Sequence, residues 1–258
     1  MELRHTHRLF VTDKLAEGAA LSATPDQTHY LFHVLRLKSG DIVRLFNGRD
    51  GEFSGNIANI GKNKVEIKVQ KQTRPQQAGS DLWLCCAPIK KTHFDFLLEK
   101  ATELGVSEIQ SILTQHTQVR EINANRAYSI CREAAEQSDR LSVPAVGNPV
   151  SLADLIDVFP KDRALIVCAE WGEAVAIHDA FHSSELRKFS KAAIVTGPEG
   201  GFAAEELELL RKAPNAFFVR LGRRILRADT AAIAALTCWQ AVLGDWASSG
   251  KNGGERRP

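Results

Sequence analysis

An α/β fold with a largely parallel sheet and helices on both faces, preceded by a small all-β module, is what this sequence predicts. Three features of the chain point to it. Residues 1–73 alternate apolar and polar side chains in short runs broken by Gly, Asn and Asp turns. From residue 80 onward, short apolar runs alternate with segments of helical period. Between the two lies Gln72-Thr73-Arg74-Pro75-Gln76-Gln77-Ala78-Gly79-Ser80, a polar Pro/Gly stretch and the best linker in the chain. The expected domains are therefore 1–73 and 80–246, with residues 247–258 a disordered tail.

Strand character begins at Arg8-Leu9-Phe10-Val11. A helix interrupts the β pattern after Thr24 or Asp26, its caps, with Tyr30, Leu31, Val34 and Leu35 on its apolar side. Residues 41–46 and 52–60 pair across Asn47-Gly48-Arg49-Asp50-Gly51; residues 64–70 follow the turn Gly61-Lys62-Asn63, with Val65, Ile67 and Val69 on one face. Closing such strands into a small barrel hides their edges. In the second region, strands are expected at 82–87, 109–113, 164–169, 192–196 and 216–221. Helices are expected at 94–104, ended by Gly105 in a left-handed cap, at 125–140, and at 229–243.

Charge is nearly balanced over the 258 residues, 33 Lys and Arg against 31 Asp and Glu. Residues 1–75 hold 12 basic against 8 acidic side chains, a tilt that suits a segment facing a polyanion. Cys85, Cys86, Cys131, Cys168 and Cys238 include no Cys-x-x-Cys pair, and most sit in apolar surroundings, the pattern of reduced thiols in a cytoplasmic protein. The start, MELRHTHRLF, lacks the apolar core of a secretion signal, and no apolar run nears the ~20 residues that cross a bilayer. His5, His7, His29 and His33 have no Cys or acidic neighbour at ligand spacing, so no metal is expected.

The chemistry concentrates late in the chain. Ala192-Ala193-Ile194-Val195-Thr196 runs into Gly197-Pro198-Glu199-Gly200-Gly201, and Phe217-Phe218-Val219-Arg220 runs into Leu221-Gly222-Arg223-Arg224-Ile225-Leu226-Arg227. Two strand-to-loop junctions this close read as halves of one cofactor pocket. The first bend lacks the Lys-Ser/Thr of a P-loop and the Gly-x-Gly-x-x-Gly of a dinucleotide site. It opens onto Glu205-Glu206, an acidic rim that repels phosphate and tolerates a cation. S-adenosylmethionine, a sulfonium with no phosphate, fits such a rim better than ATP or NAD. Arg220, Arg223, Arg224 and Arg227 surround the second bend, and Arg132 and Arg140 lie in the helix expected at 125–140. Their planar donor forks suit the backbone of a nucleic acid. Lys90 and Lys91 with His93 make a further polar cluster at a strand end.

Four motifs in order, KATELGV at 100–106, EAAEQSDR at 133–140, GPEGGF at 197–202 and LGRRILRADTA at 221–231, resemble the RsmE family of bacterial rRNA methyltransferases, of the SPOUT class. The likeness runs from Arg8, through HYLFHVLRLKSGD at 29–41, to about Trp246. It implies an N-terminal PUA-like RNA-binding β-barrel and a C-terminal domain with a trefoil knot, which no periodicity reveals. It also implies a homodimer and S-adenosylmethionine-dependent methylation of N3 of one uridine, m3U1498, in the 16S rRNA of the small ribosomal subunit. Gly197, Glu199, Gly200 and Gly201 match the family's first cofactor loop, and Leu221, Gly222, Ile225 and Leu226 the second; Thr196 and Ala169 complete the wall. Arg8, Arg140 and Arg227 match positions expected at the target RNA, and Arg36, Lys90, Lys91, Arg132, Arg223 and Arg224 are expected to extend that surface. Asp229 stands where the family usually has Glu.

The target atom sets the mechanism. Uridine N3 carries an imide proton and becomes a good nucleophile once that proton leaves. Arg140 or Arg227 is expected to stabilise the resulting anion by fixed charge. Glu199, water or hydroxide is expected to take the proton, and the uridine must be unpaired or flipped into the site. Other readings stay open from the residues: a SPOUT enzyme modifying another base or a ribose 2′-hydroxyl, a non-catalytic RNA-binding or ribosome assembly factor, or an α/β enzyme acting on a small nucleotide.

Overall fold

The structure, a computed structural model, describes residues 6–169 and 173–247. His5 and, from residue 248 onward, the tail expected to be disordered lie outside the described residues. The chain divides into two compact units: Met1–Ala78 with Ala135–Val143, and Gly79–Ala134 with Pro144–Pro258.

The first unit is a five-stranded sheet of order β1-β3-β4-β5-β2. Its strands are β1 (Arg8–Phe10), β2 (Ala20–Ser22), β3 (Ile42–Phe46), β4 (Glu52–Gly61) and β5 (Lys64–Arg74). Among the described residues of this unit, only β1 and β3 pair in parallel; the other ladders are antiparallel. Alternation puts Val65, Ile67 and Val69 on one face, where they join Leu9, Leu21, Leu31, Val43, Leu45 and Ile57 in a buried cluster. The interrupting helix is irregular. Helix α1 (Pro25–His29) starts at Thr24, whose side chain and Gln27 cap each other reciprocally, and then widens into a π-helical turn over Tyr30–Val34. Strand β2 has three residues, too few for a periodic signal. Strand β5 runs four residues past its expected end and into the expected linker, because its pairing with β4 continues to Glu52↔Arg74.

The segment 135–143 belongs to this unit through Arg8, and that corrects the expected role of Arg8. Its side chain is 3% exposed, with Nε 2.9 Å from the Glu52 carboxylate. Its Nη1 donates to the carbonyls of Ala135 at 2.8 Å and Glu136 at 3.2 Å, and Nη2 to that of Arg140. The guanidinium lies over the Phe46 ring at 4.3 Å. A buried fork whose three nitrogens each donate to protein acceptors does not reach RNA; Arg8 fastens 135–143 to the sheet. Arg44 and Arg74 complete the cluster, both reaching Glu52 and Asp139. Asp139 takes a left-handed φ of +64°.

The second unit is built on a seven-stranded sheet of order β10-β12-β9-β11-β6-β7-β8, parallel throughout. The strands are β6 (Asp81–Cys86), β7 (Glu108–Leu113), β8 (Ala145–Ser151), β9 (Ala164–Cys168), β10 (Val175–Ala176), β11 (Lys191–Thr196) and β12 (Ala216–Arg220). Helices are α2 (Lys91–Glu103), α3 (Ala124–Gln137), α4 (Leu152–Asp157), α5 (Ile177–His182), α6 (Ala204–Lys212) and α7 (Ala228–Val242). Leu165, Val167, Ala193 and Val195 point to one face and pack with Leu152, Leu155 and Leu210 of α4 and α6. Ala192, Ile194, Ala164 and Ile166 are equally buried on the other, where α7 crosses β11 and packs against α2 and α5. This is the SPOUT-type α/β arrangement. Helix α3 ends at Gln137, so Arg140 is not on it as expected.

Edge strand β8 escaped sequence detection because Gly147 and Pro149 interrupt it, a residue pair an edge tolerates. Helices α4 and α5 have six residues each, less than two turns, and leave no usable period. Buried Arg163 ties the amino ends of the central strands together. Its Nη1 donates to the carbonyls of Asp81 (2.9 Å) and Ala192 (3.0 Å), and its guanidinium stacks 3.7 Å from the Trp83 ring. Replacing Arg163 with Met removes these two bonds and the 2.8 Å pairing of Nη2 with Asp81 Oδ1, and is expected to cost about 2 kcal/mol, measured by urea unfolding of the second unit.

Candidate active site

Parallel strands bring their carboxyl ends to one side of a sheet, and ligands of such sheets bind in the crevice outside those ends. Here β9, β11 and β12 are neighbours, and the loops that follow β11 and β12 meet. They enclose a cavity of 470 Å³ walled by residues 196–202 on one side and 219–228 on the other, with Cys168 and Ala169 at its base. Thr196, Gly197, Glu199, Gly200, Gly201, Leu221, Gly222, Ile225, Leu226 and Ala169, together with Arg223, Arg224 and Arg227, line it. The two bends are brought together as expected from sequence.

Local chemistry explains their shape. Gly201 and Gly222 have φ of +69° and +107°, a region L side chains rarely adopt. Gly201 N–H closes a turn on the Pro198 carbonyl at 3.0 Å. The His116 ring then holds this turn, its Nδ1 lying 3.0 Å from the Gly200 carbonyl and 3.3 Å from that of Gly201. Sequence reasoning missed His116, and nothing in the spacing of that loop signals it. Glu206, expected on an acidic rim, is instead a clasp: it accepts from the backbone N–H of Ala203 and of Gln115, each at 2.8 Å. Glu206 itself sits in the first turn of α6, a position the helix dipole favours for a carboxylate.

The cavity is apolar where Phe202, Leu207, Val219 and Leu226 face it, and polar where backbone groups do. Ile225 is 76% exposed beside the opening. Burial, reinforced by Cys238 nearby, pushes the Cys168 thiol up to about 12, so it is a neutral wall and not a nucleophile. Arg220 donates to the Ala174 carbonyl at 3.1 Å and anchors its own loop.

A second, smaller cavity of 260 Å³ adjoins the first, lined by Ile89, Lys90, His93, Glu199, Arg227, Ala228 and Asp229. Glu199, Arg227 and Ala228 line both. Lys91 is exposed beside it and Arg132 is half-buried on α3. Arg36, exposed and at φ +53°, and Arg140 belong to the first unit. Arg140 Nη2 lies 3.5 Å from Ser142 Oγ. Among the described residues no group of three His, Cys, Asp or Glu is placed to hold a metal ion, and no helix is long and apolar enough to cross a membrane.

Comparison with known proteins agrees with this geometry. Residues 76–240 match the RNA methyltransferase domain family, and residues 23–70 the RNA methyltransferase PUA domain family. Fold and cavity thus define an RNA methyltransferase of the SPOUT type. Ribosomal RNA small subunit methyltransferase E of Rickettsia conorii is 37% identical over 231 residues, covering 89% of this chain and 93% of that protein. Its counterpart in Synechocystis is 28% identical over 240 residues, covering 92% and 78%. The crystal structure of the Neisseria gonorrhoeae enzyme bound to S-adenosyl methionine has a TM-score of 0.83 at 27% identity, covering 94% of this chain and all of that one, 100%. The chain belongs to the RsmE family of small-subunit ribosomal RNA methyltransferases.

Proposed function

We propose that this protein transfers the methyl group of S-adenosylmethionine to N3 of one uridine in the 16S rRNA of the small ribosomal subunit, working as a cytoplasmic homodimer. The observation that carries the reading is the 470 Å³ cavity between two glycine bends, with Arg223, Arg224 and Arg227 on its wall. Its volume falls in the about 300–1,000 Å³ range of small-molecule sites. A cofactor with an adenine, a ribose and a charged amino-acid tail suits a wall that is part apolar and part backbone. The Neisseria relative, bound to S-adenosyl methionine, has the same fold.

When bound, this cofactor supplies an electrophilic methyl group on a sulfonium. The chain's own residues bind and align. The backbone of 197–201 and 221–226 would offer N–H and C=O groups to adenosine, and Leu226 and Phe202 would give it apolar contact. Arg227, which lines both cavities, is our choice for the charge that steadies the ionised base. Arg140, Arg132, Arg36, Lys91, Arg223 and Arg224 are assigned to the RNA backbone, where charge positions without reading sequence.

The test is methyl transfer from labelled S-adenosylmethionine to small-subunit particles from cells lacking this gene. One N3-methyluridine is the expected product; a 2′-O-methyl group, a different base or no incorporation overturns the proposal. Arg227→Ala is expected to lower kcat about 10²-fold while leaving cofactor Kd within about twofold. Equal losses in both would remove Arg227 from its role.

A further inference from the structure

We propose that the smaller cavity receives the target uracil and that His93, oriented by Asp229, accepts its N3 proton. This rests on the methyl-transfer reading and names the proton acceptor within it. Three observations converge. The 260 Å³ cavity shares Glu199, Arg227 and Ala228 with the larger one, so a base held there lies next to a donor held in the other. His93 Nδ1 lies 2.9 Å from Asp229 Oδ2, and among the described residues no hydrogen bond engages Nε2. Asp229 is 11% exposed along its side chain, whereas His93 is 41% exposed and lines the cavity.

That pairing fixes the tautomer. Nδ1 carries the hydrogen donated to the carboxylate, which leaves Nε2 as a base with an open lone pair. The other Asp229 oxygen, Oδ1, accepts from Thr230 N at 2.7 Å, so the carboxylate is itself held by the first turn of α7. The remaining charged groups around the cavity are Lys90 at the start of α2, Glu199 from the loop after β11, and Arg227 at the start of α7. Lys90 and Arg227 supply positive charge where a uracil anion forms. Both helices also begin here without a side-chain cap, with Lys90 and Arg227 at their N-cap positions.

The step balances. The N3–H bond breaks, its proton passes to His93 Nε2, and the pair stays on N3, delocalised to O2 and O4. The N3–methyl bond forms as the methyl–sulfur bond breaks, that pair remaining on sulfur. The imidazolium returns its proton to water as product leaves. The Asp229 carboxylate 2.9 Å behind the ring steadies the imidazolium as it forms, which favours His93 for a weakly acidic imide.

His93→Gln, Asp229→Asn and Glu199→Gln are compared in single-turnover methyl transfer across pH at saturating cofactor. His93→Gln is expected to be slowed about 10²-fold at neutral pH with unchanged cofactor Kd. Its deficit should close as the pH nears that at which N3 ionises unaided. Wild-type speed, or a deficit equal at every pH, overturns the proposal, as does a pH-rescued deficit in Glu199→Gln alone. Independently of turnover, the His93 ring resonances of the cofactor-free protein should move on adding uridine 5′-monophosphate, and less in Asp229→Asn; a ring indifferent to the nucleotide overturns the uracil site. A wild-type protein that methylates no small-subunit RNA sinks the enzymatic reading instead, so the two failures are separable.

Discussion

Replacing Glu52 with Ala is expected to lower the stability of the first unit by about 3–5 kcal/mol, the cost of removing one partner from a buried charge cluster. The carboxylate is 2% exposed and receives Arg8 at 2.9 Å and Arg74 at 3.0 Å. Thr73 Oγ1 donates to it at 2.9 Å, and Arg44 stands 3.7 Å away. Without it, Arg8 stays buried over Phe46 with only the solvent-facing Asp139 as a carboxylate neighbour. Burial by itself resists ionisation of Glu52, yet Arg74, Arg8 and Arg44 outweigh it and hold the carboxyl below the usual glutamate value. The native group therefore binds its proton less readily than the unfolded one. Its stabilisation is complete above the unfolded value of about 4.3 and fades as pH falls through the lower native one. Scanning calorimetry should show the wild-type first unit losing stability below about pH 4, with Glu52→Ala weak throughout and less sensitive to acid. A variant that melts with wild type at pH 7 contradicts the account.

Gly200→Val should weaken S-adenosylmethionine binding at least about 30-fold, roughly 2 kcal/mol. A Cβ at position 200 would lie 3.0 Å from the His116 Cβ, tighter than side chains normally approach. His116 yields only by breaking the contacts of its ring with the Gly200 and Gly201 carbonyls. The backbone at 197–201 must move instead, and it is a wall of the cavity. Position 200 is exposed, so the melting temperature should hardly change. Titration calorimetry separates the outcomes: unaltered affinity in a folded variant rejects the assignment of this loop to the cofactor.

Much of this architecture was legible in the chain. The strands ending at Cys168, Thr196 and Arg220 are short apolar runs that a buried parallel sheet requires, and the bends after the last two hold glycines at positive φ, Gly201 and Gly222. The cysteines read as unpaired, and all five are free thiols. Arg8 was misread because sequence shows charge and not burial. An arginine on an edge strand looks available until Glu52, Phe46 and three distant carbonyls are seen around it. Glu206 misled for the same reason.

Periodicity and composition report on neighbours along the chain, since one helical turn or one strand spans only a few residues. They therefore announced the longer strands and helices, the glycine bends and the cluster of arginines around the second one. What they leave undetermined is which remote groups meet. Folding sets His93 against Asp229 across 136 positions and Arg8 against Ala135 across 127. It hands residues 135–143 to the first unit and merges two loops into one cavity wall. Such encounters follow from burying side chains in three dimensions, where sequence separation has no bearing on distance.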